Sequence, residues 1–545
     1  MSRQENPPYE VGIFTDSNSW SGITANDYVN GLLTGAVWGN NDPDDGNTTS
    51  LLYYYFQEGT HELGSKYGYA YSWDNYEKVA TAEAMDTFSD VANISFTETD
   101  TLDKANISWA TLDNEDSSGS LGFSYSPNSG TYSGITTQNW EKYISFGDQS
   151  LNPGSYFYLT ILHELGHSLG LKHPHDSNSY YGTFPGVSDG DDTNSGDNQL
   201  NGSPWTVMTY NDLDPNIGYS PSSENLSGFL TGLGAFDIAA IQYLYGANNT
   251  TNSGDNIYEL TSSLNGYKCI WDTGGNDTID ASNALEAASI DLRNASLNNE
   301  NGGGGYVSSI NNEKKGYTIA YGTNNNNISC VIENAKGSIF DDLITGNSSD
   351  NKIEGGASND TLIGGSGNDN LSGGDGNDTV NFQGDIADYS FSLNSMTGAL
   401  QVTDNIPGRD GKDTASKIEL FSFNDQNYGL KDVLIQTSFN SLNYLASHSD
   451  LIFALETNIS LAFDHYINFG QSEGRSADNF DEWQYLASNG DLINTFGSDT
   501  TAAIQHYVSN GYAEGRSKDS FDEWQYLASN GDLINTFGSD TTAVI

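Results

Sequence analysis

Cysteine is almost missing: two residues in 545, Cys269 and Cys330. That excludes a disulfide-stapled fold and a cysteine-based zinc finger, and leaves either one bridge or two buried thiols. Basic side chains are scarce as well. Nineteen Lys and Arg stand against 73 Asp and Glu, a formal charge of −54. Such a polyanion repels nucleic acid and anionic membrane surfaces and attracts cations. No stretch approaches the ~18 consecutive apolar residues of a membrane-spanning helix. The start, Met1-Ser2-Arg3-Gln4-Glu5-Asn6, has no apolar core behind its arginine, so no secretory signal peptide is expected. What the chain has in excess is glycine, 60 residues. It also has 23 Phe, 33 Tyr and 9 Trp, enough to build packed cores and exclude wholesale disorder. At ~150 residues per domain the length predicts three or four folded units.

Texture divides the chain further. Residues 1–25 read as a short extension, and 26–250 as a mixed α/β globular domain. Leu51 to Phe56, after Ser50, predicts a buried strand, and Asn106-Ile107-Ser108-Trp109 alternates like another. A helix is expected from Trp73 to about Val91, capped by Ser72, with Val79, Ala82, Met85 and Phe88 on its buried side. A second runs from Tyr156 to Gly170 with Phe157, Ile161, Leu165 and Leu169 buried. A third covers Asp237 to Tyr245 and stops at Gly246. Residues 251–435 are made of short β-like runs. From 436 to 545 the period becomes 41, marked by Tyr444, Tyr485 and Tyr526, and the third copy stops at Ile545. Ala462, His465, Tyr466 and Phe469 fit one helix face, so these repeats read as mostly helical. His465 and His506 recur at one repeat position and read as packing or capping residues.

The strongest chemical signal is His163-Glu164-Leu165-Gly166-His167-Ser168-Leu169-Gly170-Leu171-Lys172-His173. On a helix, residues i and i+4 share a face, so His163 and His167 form a natural zinc chelate. Gly170 can end the helix in a left-handed turn and bring His173 round as a third ligand. Three protein ligands leave a position open for water, as a catalytic zinc requires. Glu164, beside His163, is placed to take that water's proton. His61-Glu62-Leu63-Gly64 starts the same way, but Ser65 stands where a second ligand would have to begin, so it reads as a loop or strand end. His175, beyond Pro174, has no slot in the pattern and is expected in solvent. Asp176 to Leu200, rich in Asp, Asn and Gly, is expected to flank the cleft.

This pattern resembles the metzincin zinc peptidases. Ser203-Pro204-Trp205-Thr206-Val207-Met208-Thr209-Tyr210 looks like their methionine turn, with Met208 as the floor under the three imidazoles. The tyrosine two places on, and the Leu171…His173-Pro174 ending, are similar to the serralysin branch. The resemblance implies that Tyr210 ligates zinc in the resting enzyme and swings away to stabilise the oxyanion. Phe236 to Gly246 is similar to the segment closing the serralysin catalytic domain.

From Gly337 to Asn381 a nine-residue period begins at Gly337, Gly346, Gly355, Gly364 and Gly373. The pattern is Gly-Gly-x-Gly-x-Asp-x-apolar-x. Its second position is Ser338, Asn347, Gly356, Gly365 and Gly374, and its fourth includes Gly367 and Gly376. Its sixth is Asp342, Asn351, Asp360, Asp369 and Asp378; its eighth is Ile344, Ile353, Leu362, Leu371 and Val380. Glycines permit a tight turn, the sixth-position carboxylate offers hard oxygens to Ca²⁺, and the eighth residue enters a core. Two nonapeptides make one turn of a parallel β-roll. This resembles the RTX-type repeat, which implies several structural calcium ions held by those glycines and aspartates. Gly274-Gly275-Asn276-Asp277-Thr278-Ile279-Asp280 is a half-match. Asp410 and Asp413, further on, read as surface turn residues or as an extension of calcium binding.

Together these readings give a multidomain chain: an α+β metzincin catalytic domain, a parallel β-roll and helical repeats. The function expected is that of a secreted zinc endopeptidase, monomeric, acting on proteins or peptides. The resemblance implies export by a one-step (type I) machine that reads an uncleaved C-terminal signal, although no usual signal is visible at Thr541-Thr542-Ala543-Val544-Ile545. The competing reading is a calcium-dependent adhesin or surface protein with an inactive peptidase-like domain. The intact set His163, Glu164, His167, His173, Met208 and Tyr210 argues against such decay.

Overall fold

The computed structural model describes residues 11–13, 26–38, 50–63, 66–127, 129–144, 148–178, 181–211, 227–313, 315–322, 330–394, 397–435 and 439–537. Nearly all of the 1–25 extension, and Thr541 to Ile545, lie outside them. The chain forms two compact units, Met1–Gly356 and Ala357–Ile545.

The first unit is built on a five-stranded sheet. Its strands are β1 (Ser50–Phe56), β2 (Ile94–Glu98), β3 (Ile107–Leu112), β4 (Gly122–Ser124) and β5 (Ile135–Asn139), in the order β2-β1-β3-β5-β4. Four run parallel. The edge strand β4 is antiparallel to β5, with Phe123 opposite Thr137. Ile107, Trp109, Ala110 and Leu112 are all buried, so β3 is covered on both faces, as expected of a central parallel strand. The helices α1 (Asn75–Val91) and α2 (Tyr156–Leu169) pack on this sheet, and α3 (Ala235–Tyr245) packs on α1. α2 lies against β4, β5 and α1.

Helix α1 begins two residues later than the sequence suggests. Asp74 is its cap, and the Asp74 N–H donates to the Glu77 carboxylate (2.6 Å). Its buried stripe is Glu77, Ala80, Thr81, Ala84, Met85, Phe88 and Val91, while Val79 is exposed. A strict spacing of three slips around a helix of 3.6 residues per turn, so Val79 and Ala82 leave the face that Met85 and Phe88 share. Helix α2 begins where Ser155 Oγ accepts from Tyr158 N (3.1 Å). Phe157, Ile161, Leu165 and Leu169 are all buried.

Beyond residue 250 the first unit turns into short parallel strands. Thr278–Asp280 pairs with Ile257–Glu259 and with Asn334–Lys336, and Ala335 lies opposite Ile353. Ile290 lies opposite Ile344. Ile344 and Ile353 have no solvent exposure. Cys269 and Cys330 are separate, buried thiols; Cys330 Sγ accepts from Asp272 N (3.4 Å).

The second unit holds the same kind of ladder. Leu362 lies opposite Val380, Leu371 opposite Ala415, and Val380 opposite Phe421. A hairpin, Tyr389–Leu393 and Leu400–Asp404, is inserted before the ladder resumes. Asp410 and Asp413 are buried, 3% and 2% exposed, which corrects their reading as surface turn residues. Because Lys412–Ser416 pairs in parallel with Asn370–Asp375, the turn before it stacks on the turn before Asn370. There Asp413 Oδ1 accepts from Asp369 N (2.9 Å). Gly411, at φ +90°, lets the chain pass so close that a Cβ would meet Gly367 O at 1.8 Å.

The remaining residues form short helices, among them Ser441–Ser447, Ile459–His465, Glu482–Ser488 and Thr500–His506. Tyr444 and Tyr485 are wholly buried. Their hydroxyls meet His465 Nδ1 (3.0 Å) and His506 Nδ1 (2.9 Å), so both histidines pack within the repeat. Phe469 is 56% exposed, against expectation. Helix Ile459–His465 passes into a π-helical turn, Tyr466–Gly470, whose wider winding carries Phe469 off the face shared by Ala462 and Tyr466.

Burial pushes the Asp413 carboxyl up to about 8, with Asp369 and Asp410 adding to the effect. An unfolded Asp titrates near ~4, so the metal-free folded chain holds a proton that the unfolded chain releases. Stability is therefore fullest below about pH 4 and falls as pH rises towards 8. In chelator, thermal unfolding of the full chain should occur at higher temperature at pH 5 than at pH 8.

Candidate metal centre

Helix α2 carries His163 and His167 one turn apart, and both rings leave the same face. Gly170 ends the helix at φ +109°. A Cβ there would lie 2.3 Å from Ala36 O, so this turn admits no side chain. The chain reverses: Leu171 N donates to Gly166 O (2.9 Å) and Lys172 N to Leu32 O (2.8 Å). The reversal delivers His173 to the two helical histidines.

The three Nε2 atoms converge. His163 and His167 are 3.2 Å apart, His163 and His173 3.1 Å, and His167 and His173 3.0 Å. Each opposite nitrogen has an acceptor. His163 Nδ1 donates to Val207 O (2.8 Å), His167 Nδ1 to Leu171 O (3.0 Å) and His173 Nδ1 to Asp176 Oδ2 (2.7 Å). With the protons held on Nδ1, three lone pairs point at one another, an arrangement that repels unless a cation stands between them. Zn–N bonds of ~2.0–2.1 Å in a tetrahedral shell place donors about 3.3 Å apart, close to the spacing here. Burial pushes His163 well below its usual value and His167 down to about 3, which keeps both imidazoles neutral and able to bind metal. The residues fit a zinc ion.

Glu164 is 6% exposed beside this cluster, and burial pushes its carboxyl up to about 8. Its Oε2 is buried and has no hydrogen-bond partner among the described residues. Gly122 of edge strand β4 leaves room for it; a Cβ there would come within 2.9 Å of Glu164 Cγ. Tyr210 is 38% exposed, and its hydroxyl lies 2.8 Å from His173 Nε2. Burial raises its pKa. Met208 is fully buried beneath the cluster, and its Sδ would be 2.6 Å from a Cβ on Gly166.

Several features escape the sequence. His175 is buried, at 7% exposure, and stacks in parallel on His173 with ring centroids 4.9 Å apart, which corrects the expectation of a solvent position. Asp176 holds the third ring through Nδ1. Lys172 is buried, and its ammonium donates to Gly31 O (2.6 Å), Asp176 O (2.5 Å) and Gly182 O (2.9 Å), tying the 176–182 loop to the turn. Burial lowers its pKa to about 8. Asp237, in the first turn of α3, accepts from Thr206 Oγ1 (2.6 Å), Val207 N (2.7 Å) and Gly234 N (2.9 Å). Val207 thus joins Asp237 to His163. An acid in a first helical turn was the one available signal. His61 lies in a hairpin strand, Gly59–Leu63, and Gly64 falls outside the described residues.

The candidate calcium residues line close-packed turns. In the first unit, Cβ atoms on Gly337 and Gly356 would lie 2.0 Å from Gly355 O and Ser338 O. Asp342 is buried and its Oδ1 accepts from Ala288 N (2.6 Å). Asp277 is fully buried, is pushed up to about 7 by burial, and has an Oδ2 with no hydrogen-bond partner among the described residues. In the second unit, Asp360, Asp369 and Asp378 are buried. Asp360 N donates to Asp378 Oδ1 (2.8 Å). Gly364 and Gly373 stand directly over the Asp369 and Asp378 carboxylates, and Gly376 lies against Ser358 O. Gly365, Gly367 and Gly374 sit in the same turns.

Known families and proteins match the same regions of the chain. Residues 60–192 match the Matrixin family and 153–296 the Met-zincin family, while 336–371 and 345–380 match the RTX calcium-binding nonapeptide repeat. A serralysin of Proteus mirabilis is 31% identical over 305 residues, covering 51% of this chain and 55% of the relative. Metallopeptidase AprA of Pseudomonas marginalis is 32% identical, covering 50% and 54%. A serralysin of Photorhabdus luminescens is 32% identical, covering 57% and 61%. The chain thus spans a little over half the length of the curated relatives it matches.

Replacing Asp237 by Ala leaves two buried N–H groups without an acceptor, a cost of roughly 2–5 kcal/mol. It also frees the peptide that orients His163. The D237A chain should unfold at lower denaturant concentration and bind zinc more weakly than wild type, measured by chemical denaturation and competition with a chromophoric chelator.

Proposed function

Starting from a serralysin-like metzincin domain joined to RTX calcium-binding repeats, we propose that the chain is a secreted zinc endopeptidase hydrolysing peptide bonds of extracellular proteins. One observation carries this reading: three imidazole Nε2 atoms meet within 3.2 Å beside a buried carboxylate with an unpartnered oxygen. His163, His167 and His173 would hold one zinc ion, with Tyr210 as a further ligand in the resting state. The ion supplies Lewis acidity, acidifying water and polarising a peptide carbonyl.

The chain's own residues do the rest. Glu164, desolvated and raised in pKa, is basic enough to take a water proton on its open oxygen and later return it to the leaving amine. Tyr210, raised in pKa, keeps its phenolic proton at neutral pH and can donate to an oxyanion once it leaves His173. Asp176, Leu171 and Val207 fix the tautomers of the three rings. The residues set beside calcium are Asp342, Gly355, Gly356, Asp360, Gly364, Gly365, Gly367, Asp369, Gly373, Gly374, Gly376 and Asp378. Buried carboxylates that share turns repel one another until a cation neutralises them. The scarcity of calcium inside a cell and its abundance outside would delay closure of the roll until export. The type I route and a monomeric state complete the proposal, and helical repeats form its C-terminal part.

Glu164→Ala should reduce peptide hydrolysis by about 10³-fold or more while one equivalent of zinc stays bound. Retained hydrolysis by a zinc-loaded, homogeneous sample would remove Glu164 from its role. Chelation of calcium should lower the thermal stability and β-type circular dichroism of the chain, and calcium but not magnesium should restore both.

A further inference from the structure

His175 is a buried imidazole with no described hydrogen bond to its ring. Its Nδ1 is enclosed without a partner among the described residues, and its Nε2 stands 3.8 Å from Asp176 Oδ1. That gap is too long for a hydrogen bond. It suits two donors on one cation, because bonds of ~2.0–2.2 Å put ligand atoms about 3.3–4.2 Å apart. The ring is not free to turn away, since it stacks on His173 at an interplanar angle of 4° and lies 5.3 Å from the Tyr210 ring. His173, His175 and Asp176 place donor atoms within 4.8 Å of one another, a second metal-capable group beside the three-imidazole cluster. The nearby cation, Lys172, is engaged by three backbone carbonyls, while Asp192 adds negative charge around His175.

We propose that His175 Nε2 and Asp176 Oδ1 hold a second divalent transition-metal ion, zinc being the best fit, and that its occupancy inhibits the enzyme. An imidazole donor selects zinc, cobalt, nickel or copper over calcium. Two protein ligands make this site weaker than the three-imidazole site, so it fills only when the metal is in excess. Once filled, it withdraws charge from the carboxylate whose other oxygen holds His173 Nδ1 and sets a second positive charge beside Tyr210, where an incoming substrate must displace the phenol. Metal binding here stands on the geometry alone; the inhibition rests on the peptidase reading.

The test is a zinc titration of the full calcium-loaded chain. Bound metal is counted by equilibrium dialysis and hydrolysis is followed with a fluorogenic peptide. Wild type should bind one tight and one weaker equivalent, with inhibition following the weaker. His175→Phe keeps the stacked ring and removes both nitrogens. It should keep the tight equivalent and its activity, lose the weaker one, and need at least about ten-fold more zinc for half-inhibition. His175→Ala should behave alike if folded. A single equivalent in wild type, or a weak equivalent surviving in H175F, overturns the second site. A second equivalent that leaves hydrolysis untouched overturns the inhibition. Absence of any tight equivalent strikes the peptidase reading instead.

Discussion

Three lone pairs that face one another across about 3 Å cannot be left alone. The chain commits a helix, a left-handed turn and a buried methionine to bring His163, His167 and His173 together, and fixes each proton on the far side of its ring. Asp237 and Asp176 anchor two of those rings from opposite directions, one through the Val207 peptide and one directly. A bound cation would offset the cost of assembling such a cluster, so metal binding would add to the stability of the first unit.

The nonapeptide turns repeat that logic with harder donors. Asp360, Asp369 and Asp378 are buried in the second unit, and Asp342 and Asp277 in the first, in a chain already carrying −54. Burial without a counter-ion forces protons onto such groups, as the raised positions of Asp413 and Asp277 show. Part of the acidic composition is thus placed in buried turns, where a bound cation would neutralise it, while most of the remaining Asp and Glu are not buried.

Much of this was legible because the signals are local. Offsets of four and ten residues place the three histidines, and a period of nine places Leu362, Leu371 and Val380 in the core. Helix α2 was legible because an apolar stripe from Phe157 to Leu169 runs up to Gly170, while its cap, Ser155, emerged only from the structure. Features set by distant chain segments stayed hidden. His175 is buried because the chain folds back over it, with Gly190 N donating to its carbonyl (2.8 Å). Asp410 and Asp413 are buried because a hairpin returns the chain to the ladder, and no pattern around residue 410 announces that return. Val79 was misplaced by counting in threes where the helix counts 3.6.

The ladder also has a consequence for time. Leu362 meets Val380 after only eighteen residues, so each pairing closes a short loop and pays little chain entropy. Once the turn carboxylates are neutralised, such short closures would let assembly zipper from one formed turn to the next. The step from Leu371 to Ala415 breaks the rule, because the hairpin must be accommodated first. Val380 and Phe421 close over a similar span, so both strands beyond the hairpin must wait until it has been placed.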